Sequence, residues 1–254
     1  MFSIKLFNKH LKTIKLGKEI TYLNQINSTN DELWNYINSG KTEGSSIIAE
    51  NQTKGKGRRG NIWFSNKHDS LTFSFTIFPN TNQIQISLIP LLTGIAIANA
   101  IEKLYSTEVG LKWPNDILLE KLKLGGILTE KKTIRNDQIA IVIGIGLNIN
   151  QLKNQFPNAI QKSAISLKMH LKKSIIREEL MANILNEFEY LYLNSAENIV
   201  SQWENWCIHL NSKIKFNLDN EEISGYFKGI NSMGEAKLDI NGKFKKFSSG
   251  IVTI

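Results

Sequence analysis

Residues 52–65 read Q-T-K-G-K-G-R-R-G-N-I-W-F-S, where Gly55, Gly57 and Gly60 are interleaved with Lys54, Lys56, Arg58 and Arg59 and the run closes on Trp63. Glycine admits positive φ and lets a backbone approach a ligand closely, so this stretch is a loop, not a regular strand or helix. Backbone N–H groups, guanidinium forks and an indole suit a carboxylate, a phosphate and a flat heterocycle. The same residues also describe a solvated basic hairpin or a nucleic-acid patch, so the rest of the chain must decide.

Further stretches carry candidate groups. In V-G-L-K-W-P-N-D-I-L-L-E, Trp113 precedes Pro114 and is extended, and Pro114-Asn115-Asp116 turns the chain into a second strand. A hairpin accounts for the turn residues, but not for Lys112 beside Trp113 at a strand end. In I-N-S-T-N-D-E-L-W, Ser28 with Asp31 or Thr29 with Glu32 fits a capping box, leaving one hydroxyl free at the positive end of a helix. Paired glycines, Gly125 and Gly126, open a later strand and mark close backbone or ligand approach. G-I-G-L-N-I-N (residues 144–150) follows a β-branched run but lacks a third glycine and a following helix, so a dinucleotide fold is rejected. Its glycines and Asn148 could instead approach a purine edge.

Metal and hydrolase patterns fail: four histidines form no H-E-x-x-H, one cysteine forms no C-x-x-C, and G-x-S-x-G is absent. What remains is a set of charge-stabilising donors without an obvious covalent nucleophile. Such a set suits a reaction in which a substrate carboxylate attacks a phosphate while the protein supplies positioning and charge.

The elements that must hold these groups follow from pattern. With 254 residues, 41% hydrophobic and 21% charged, the chain fits one large domain with at most a small appendage. Its net charge of +8 favours anionic partners, but lysines are scattered along the chain instead of concentrated on one face. Cys207 stands among Trp203, Trp206 and Ile208, as a buried small hydrophobe would, and a single cysteine fits a reducing compartment. The N-terminus has lysines through its apolar residues, unlike a secretion signal, and residues 88–101 are too short and too interrupted to span a bilayer, so a cytoplasmic protein with no membrane partner is expected.

Strands are expected at 20–25 and 46–50, and at 71–77, where apolar and hydroxyl residues alternate as in a half-buried antiparallel strand. Helices are expected at 28–38, 87–105, 161–170, 177–193 and 197–210, and a buried strand at 139–143. From residue 211 the pattern changes to short strands separated by turn signals such as Met233-Gly234 and Asn241-Gly242. The fold class is α+β: a mixed or antiparallel sheet with helices over 1–210 and a small β domain over 211–254.

The ordered series Ser28-Thr29-Asn30, G-K-G-R-R-G-N-I-W-F-S, K-W-P-N-D, K-L-G-G-I-L-T-E and G-I-G-L-N-I-N resembles the biotin protein ligases, over residues 20–254. The resemblance implies a class II synthetase-like catalytic domain and a C-terminal SH3-like barrel. It implies that biotin and ATP, with Mg²⁺, give biotinyl-5′-AMP, and that the biotinyl group passes to a lysine of a biotin carboxyl carrier protein. On the biotin side it implies Ser28, Thr29, Asn30 and Gln52, then Gly55, Lys56, Gly57 and Arg58 of the loop, with Lys112, Gly125 and Gly126. On the ATP side it implies Arg58, Arg59, Trp63, Lys112, Asn115 and Asn148. Arg58 and Lys112 are the expected catalytic residues, and no metal ligand is assigned. Lys56 departs from the family's usual arginine and loses its fork geometry. Residues 1–27 are too few for the helix-turn-helix of repressor forms, so DNA is not an expected partner, and a homodimer is. A lipoate or octanoate ligase of the same superfamily is the nearest rival, and a nucleic-acid-binding module a more distant one.

Overall fold

The computed structural model describes residues 1–40, 43–79, 84–194, 198–218 and 221–254. In chain order, the first part comprises α1 (Ile4–His10), β1 (Ile20–Leu23), α2 (Thr29–Asn38), β2 (Ser46–Ala49), β3 (Ser70–Ile77), α3 (Ile89–Tyr105), β4 (Gly110–Lys112), β5 (Asp116–Leu119), β6 (Leu122–Thr133) and β7 (Ile139–Asn148). Then follow α4 (Leu167–Leu171), α5 (Arg177–Asn194), α6 (Ile199–Trp206), β8 (Lys213–Leu218), β9 (Glu221–Ile230), β10 (Ala236–Ile240), β11 (Lys243–Phe247) and β12 (Ile251–Thr253).

The first seven strands form one sheet in the order β1-β2-β3-β7-β6-β5-β4, parallel only between β1 and β2. The last five form an antiparallel sheet, β11-β10-β9-β8-β12. The expected mixed sheet with a C-terminal β unit is therefore observed.

Helices cover both faces of the large sheet. On one face, Leu71, Phe73, Phe75 and Ile77 of β3 join the main core with α3 and α5. On the other, Leu33, Trp34 and Ile37 of α2 pack on Ile47, Ala140 and Val142. Thus β3 is buried along its whole length, not half-buried as its alternation suggests. Its hydroxyl face lies beneath α2 instead of facing water, and period two cannot distinguish those environments.

The segment Ile86–Tyr105 is long and apolar enough to cross a membrane by length and composition, yet 67% of its most apolar window is buried against the protein's own core. The expected helix over 161–170 reduces to α4, because residues 157–163 form turns closed by bonds such as Ile160 N–H to Pro157 O. The helix expected to reach 210 stops at Trp206. Sequence reading also missed α1 and the short β12.

The two sheets share one hydrophobic cluster. Trp113 is 1% exposed, lies 5.8 Å from the Phe216 ring, and donates its indole N–H to the Gly234 carbonyl at 3.0 Å. Trp203 of α6 packs on Phe227, and Glu204 accepts the Ile230 N–H. The residue following Lys112 is thus also the joint to the C-terminal sheet.

Candidate active site

Side-chain size along β7 opens a cavity. On the α2 side of the sheet its residues run Ala140, Val142, Gly144, Gly146 and Asn148. The first two pack under α2, whereas the glycines leave a bare floor. Across the sheet Gly146 faces Gly126, and Gly144 is flanked by Ser74 and Leu128. A Cβ on Gly144 would strike the Asn30 carboxamide, and one on Gly146 would strike the Trp63 indole. Glycine is needed here for close approach, not for positive φ.

At one end of this floor the walls are uncharged and polar. Ser28 caps α2, accepting the Asp31 N–H at 3.5 Å. Gln52 Oε1 accepts from the Thr29 N–H at 2.8 Å and its hydroxyl at 3.1 Å. Thr29 Oγ1 lies 2.6 Å from Ser74 Oγ, which donates to Asn30 Oδ1 at 2.6 Å. Asn30 Nδ2 in turn donates to Glu130 at 2.9 Å, and Glu130 also accepts the Trp34 indole N–H at 3.2 Å. The hydroxyl stripe of β3 is therefore the underside of this basket. Each amide and hydroxyl is held in orientation by a neighbour, so it can meet a small polar ring without reorganising.

At the other end stand the cations. The Gly55–Trp63 loop is a narrow hairpin in which Trp63 N–H donates to Gly55 O at 2.9 Å and Gly57 N–H to Asn61 O at 2.7 Å. Its tip turns through Arg59 (φ 54°) and Gly60 (φ 76°), which projects Arg58 inward. Arg58 Nη1 donates to Asn115 Oδ1 at 3.2 Å, and Asn115 Nδ2 donates to Ile127 O at 2.9 Å, so the corner after Pro114 orients the guanidinium. Asp116 joins Lys112 at 3.1 Å and Lys123 at 2.6 Å. Burial pushes Asp116 upward, but these two cations outweigh it and hold its carboxyl below the usual range. Burial and then Arg59 lower Arg58, against the pull of Asp116. Three cations thus surround one carboxylate, leaving unneutralised positive charge for an anionic ligand.

Of the expected residues, Ser28, Thr29, Asn30, Gln52, Lys56, Gly57, Arg58, Arg59, Trp63, Lys112, Asn115 and Gly126 line this one cavity. Gly55, Gly125 and Asn148 do not. A Cβ at Gly55 would strike the Trp63 carbonyl, so that glycine pinches the loop shut at its neck. Gly125 turns to the opposite face, against Leu147. The Asn148 carboxamide donates to Lys123 O at 3.2 Å and accepts from Gln151 at 3.3 Å, tying strand ends together. Lys56 pairs with Asp31 at the start of α2.

Sequence reading missed Lys123, whose signal was its position two residues before the paired glycines, on the strand beside Asp116. It also missed Gly250, Ile251 and Val252, the C-terminal residues that complete the wall. Cys207 is not a nucleophile: burial pushes its thiol up to about 12. The indole N–H of Trp63 is buried without a hydrogen-bond partner at the cavity wall.

Known proteins resemble this chain in sequence and fold. The family model for the biotin/lipoate A/B protein ligases matches residues 22–148, a span containing the basket, the loop and the cationic corner. The bifunctional ligase/repressor BirA of Bacillus subtilis is 29% identical over 248 residues, 96% of this chain and 76% of the relative. That of Escherichia coli is 30% identical over 244 residues, 94% of this chain and 74% of the relative. The structure of a biotin protein ligase from Aquifex aeolicus in complex with biotin and ATP superposes with a TM-score of 0.78 at 26% identity, covering 93% of this chain and 98% of that one.

Proposed function

The chain belongs to the biotin/lipoate A/B protein ligase family, and from that premise we propose how its residues divide the work of an ATP-dependent biotin protein ligase. The carrying observation is that a polar basket and a cluster of cations open into the same cavity. Biotin's ureido ring offers one carbonyl and two N–H groups, which Ser28, Thr29, Asn30 and Gln52 can match. A dithiolane offers neither a carbonyl nor an N–H for that polar basket to meet, which disfavours lipoate.

Biotin's valerate then runs along the glycine floor toward Arg58, Lys112 and Lys123. There its carboxylate oxygen attacks the α-phosphorus of ATP, an O–P bond forms, and pyrophosphate leaves. Two anions must meet, and the three cations lower that repulsion most where charge accumulates in the transition state. Asn115 and Asp116 are positioning residues that hold Arg58 and the two lysines. Trp63 provides a flat wall and an N–H donor for the adenine. The carboxylate oxygens of Asp116 are taken by lysines, and no cluster of three His, Cys, Asp or Glu occurs among the described residues. Mg²⁺ is therefore assigned to the phosphate oxygens of ATP, where it would neutralise charge, and no step above runs through it.

In the second step, the free amine of an acceptor lysine attacks the mixed-anhydride carbonyl. A C–N bond forms, the acyl C–O bond breaks, AMP leaves with the electron pair, and the amine's proton passes to solvent. The acceptor is assigned as a biotin carboxyl carrier domain, and the chain is divided near residue 210 into a catalytic domain and an SH3-like unit. The test is mass spectrometry of such a carrier domain incubated with the protein, biotin, ATP and Mg²⁺. The expected product carries one biotinyl group; a product formed with lipoate and not biotin would overturn the reading.

A further inference from the structure

The polar basket is wired to a carboxylate outside the cavity. Gly126, Leu128 and Glu130 alternate along β6 on the α2 side of the sheet, across from Gly146, Gly144 and Val142. Gly126 and Leu128 line the cavity, and Glu130 stands one step beyond them. Its Oε2 accepts the Trp34 indole N–H at 3.2 Å and the Asn30 carboxamide at 2.9 Å. Asn30 and Trp34 are one turn apart on α2, so one carboxylate oxygen serves both. Trp34 is buried, and the Lys132 ammonium lies 4.4 Å from the centre of its ring. Satisfying a buried indole explains only the first of these two bonds. The second reaches across 100 residues to a side chain of the basket.

That bond sets the direction of those that follow. A carboxylate and a backbone carbonyl accept and do not donate. Asn30 Nδ2 meets one of each, Glu130 at 2.9 Å and the Leu128 carbonyl at 3.4 Å. A reversed carboxamide would place oxygen against oxygen at both, so Oδ1 is committed to the Ser74 side. Oδ1 only accepts, and the single hydroxyl proton of Ser74 is spent on it at 2.6 Å. Ser74 Oγ then has only lone pairs for Thr29 Oγ1, which is 2.6 Å away. The Thr29 proton must therefore point into the protein, toward Ser74 Oγ and Gln52 Oε1. What Thr29 Oγ1 keeps for a ligand is a lone pair. From Thr29 through Ser74 and Asn30 to Glu130, every hydrogen bond runs one way.

We propose that Glu130 is a positioning residue that fixes this direction and thereby makes Thr29 Oγ1 an acceptor for one N–H of biotin's cyclic urea. The substrate N–H is the first donor of a chain that ends on the carboxylate, and bonds aligned in this way polarise one another. A ring oxygen in place of that N–H would meet a lone pair that has nowhere to turn, so the same device rejects it. The proposal rests on the ligase reading and assigns part of that enzyme's substrate selection to a side chain outside the cavity.

The test measures ATP–pyrophosphate exchange by the full-length protein with biotin and with its two cyclic carbamate analogues, in each of which a ring oxygen replaces one ureido N–H. The parent is expected to prefer biotin over at least one analogue by about a hundredfold in kcat/KM. Glu130→Met removes the acceptor, frees the Asn30 carboxamide to turn, and should raise the biotin KM about tenfold while leaving the ATP KM unchanged. The preference over that analogue should shrink about tenfold as well, because Thr29 can then turn its proton outward. Glu130→Gln keeps a carbonyl oxygen for Asn30 and Trp34 and should restore both quantities to within about threefold of the parent. Ser74→Ala cuts the chain between Asn30 and Thr29 without touching Glu130, and should relax the same preference even if the Glu130→Met protein does not fold. An unchanged preference in Ser74→Ala would overturn the proposal. So would a Glu130→Met protein that binds biotin poorly yet keeps the parent's preference, since Glu130 would then only brace α2. A parent protein that catalyses no biotin-dependent exchange would instead sink the ligase reading, and this proposal with it.

Discussion

Glu50 ends the stretch that leads into the glycine-basic loop, and its carboxylate is the test of what anchors that loop. It is 1% exposed and receives a bidentate pair from Arg177, Nη1 to Oε2 at 2.9 Å and Nη2 to Oε1 at 3.0 Å. The Phe2 N–H and the Tyr22 hydroxyl also donate to it, at 2.8 Å and 3.3 Å. Burial pushes this carboxyl upward, but Arg177 and the other donors prevail and bring it from 4.5 to about 2. At about 1.36 kcal/mol per pH unit, that displacement corresponds to about 3 kcal/mol of folding stability. Because the folded value is the lower one, the contribution is complete above pH 4.5 and drains away as the pH falls toward 2. Glu50→Gln keeps the shape and removes the charge, stranding the Arg177 guanidinium in the interior, so a loss of about 3–5 kcal/mol is expected at neutral pH. Urea unfolding of both proteins, followed by tryptophan fluorescence at intervals from neutral pH down to about pH 3, measures the gap. It should be constant down to pH 5 or so and narrow below that, as the Glu50 carboxyl of the parent's unfolded chain takes up its proton while the folded one stays ionised. A gap that stays level across the series, or is under about 1 kcal/mol at neutral pH, would refute the reasoning.

Three substitutions probe the cavity. Lys112→Met should lower biotin-dependent pyrophosphate exchange by about 10²–10³-fold in kcat while leaving the urea midpoint near its original value; near-normal exchange would remove Lys112 from the catalytic set. Arg58→Gly should release biotinyl-AMP into solution, detected as adenylate in a filtrate, because the inward cation that retains it and holds the loop to Asn115 is gone; equal retention in both proteins would count against that role. Gly146→Ala should displace the Trp63 indole and raise the KM for ATP more than that for biotin, and equal rises would mean that Trp63 does not face the nucleotide.

The site was legible wherever chemistry required an unusual residue at a fixed offset. Ser28, Thr29 and Lys112 stood out because capping and turn formation left something about them unexplained, Arg58 because of its glycine-basic loop and Asn115 only through the family motif, and the fold brings these residues to one cavity. Regular patterns misled where a second layer lay over the sheet. Thr72, Ser74 and Thr76 read as a wet face, yet α2 covers them and Ser74 serves the basket. Adjacency misled at the paired glycines, because neighbouring strand residues point to opposite faces and only Gly126 borders the cavity. Lys123, Glu50 and the Gly250–Val252 wall depend on contacts far apart in sequence, such as the 127-residue separation of Glu50 and Arg177. No local pattern encodes those partners. The short α4 shows the other limit: an apolar period over 161–170 does not make a helix when Pro157 and local turns set the path.

The burial of Trp113 between the two sheets bears on how freely this architecture can be rearranged. A graft replacing the C-terminal unit would have to supply a carbonyl where Gly234 stands and an aromatic ring where Phe216 stands, or the lysine next to that indole would lose its aim. Interchange of such units among relatives is then restricted to those that preserve this seam, and inheritance of the pair as a single piece is the expected pattern.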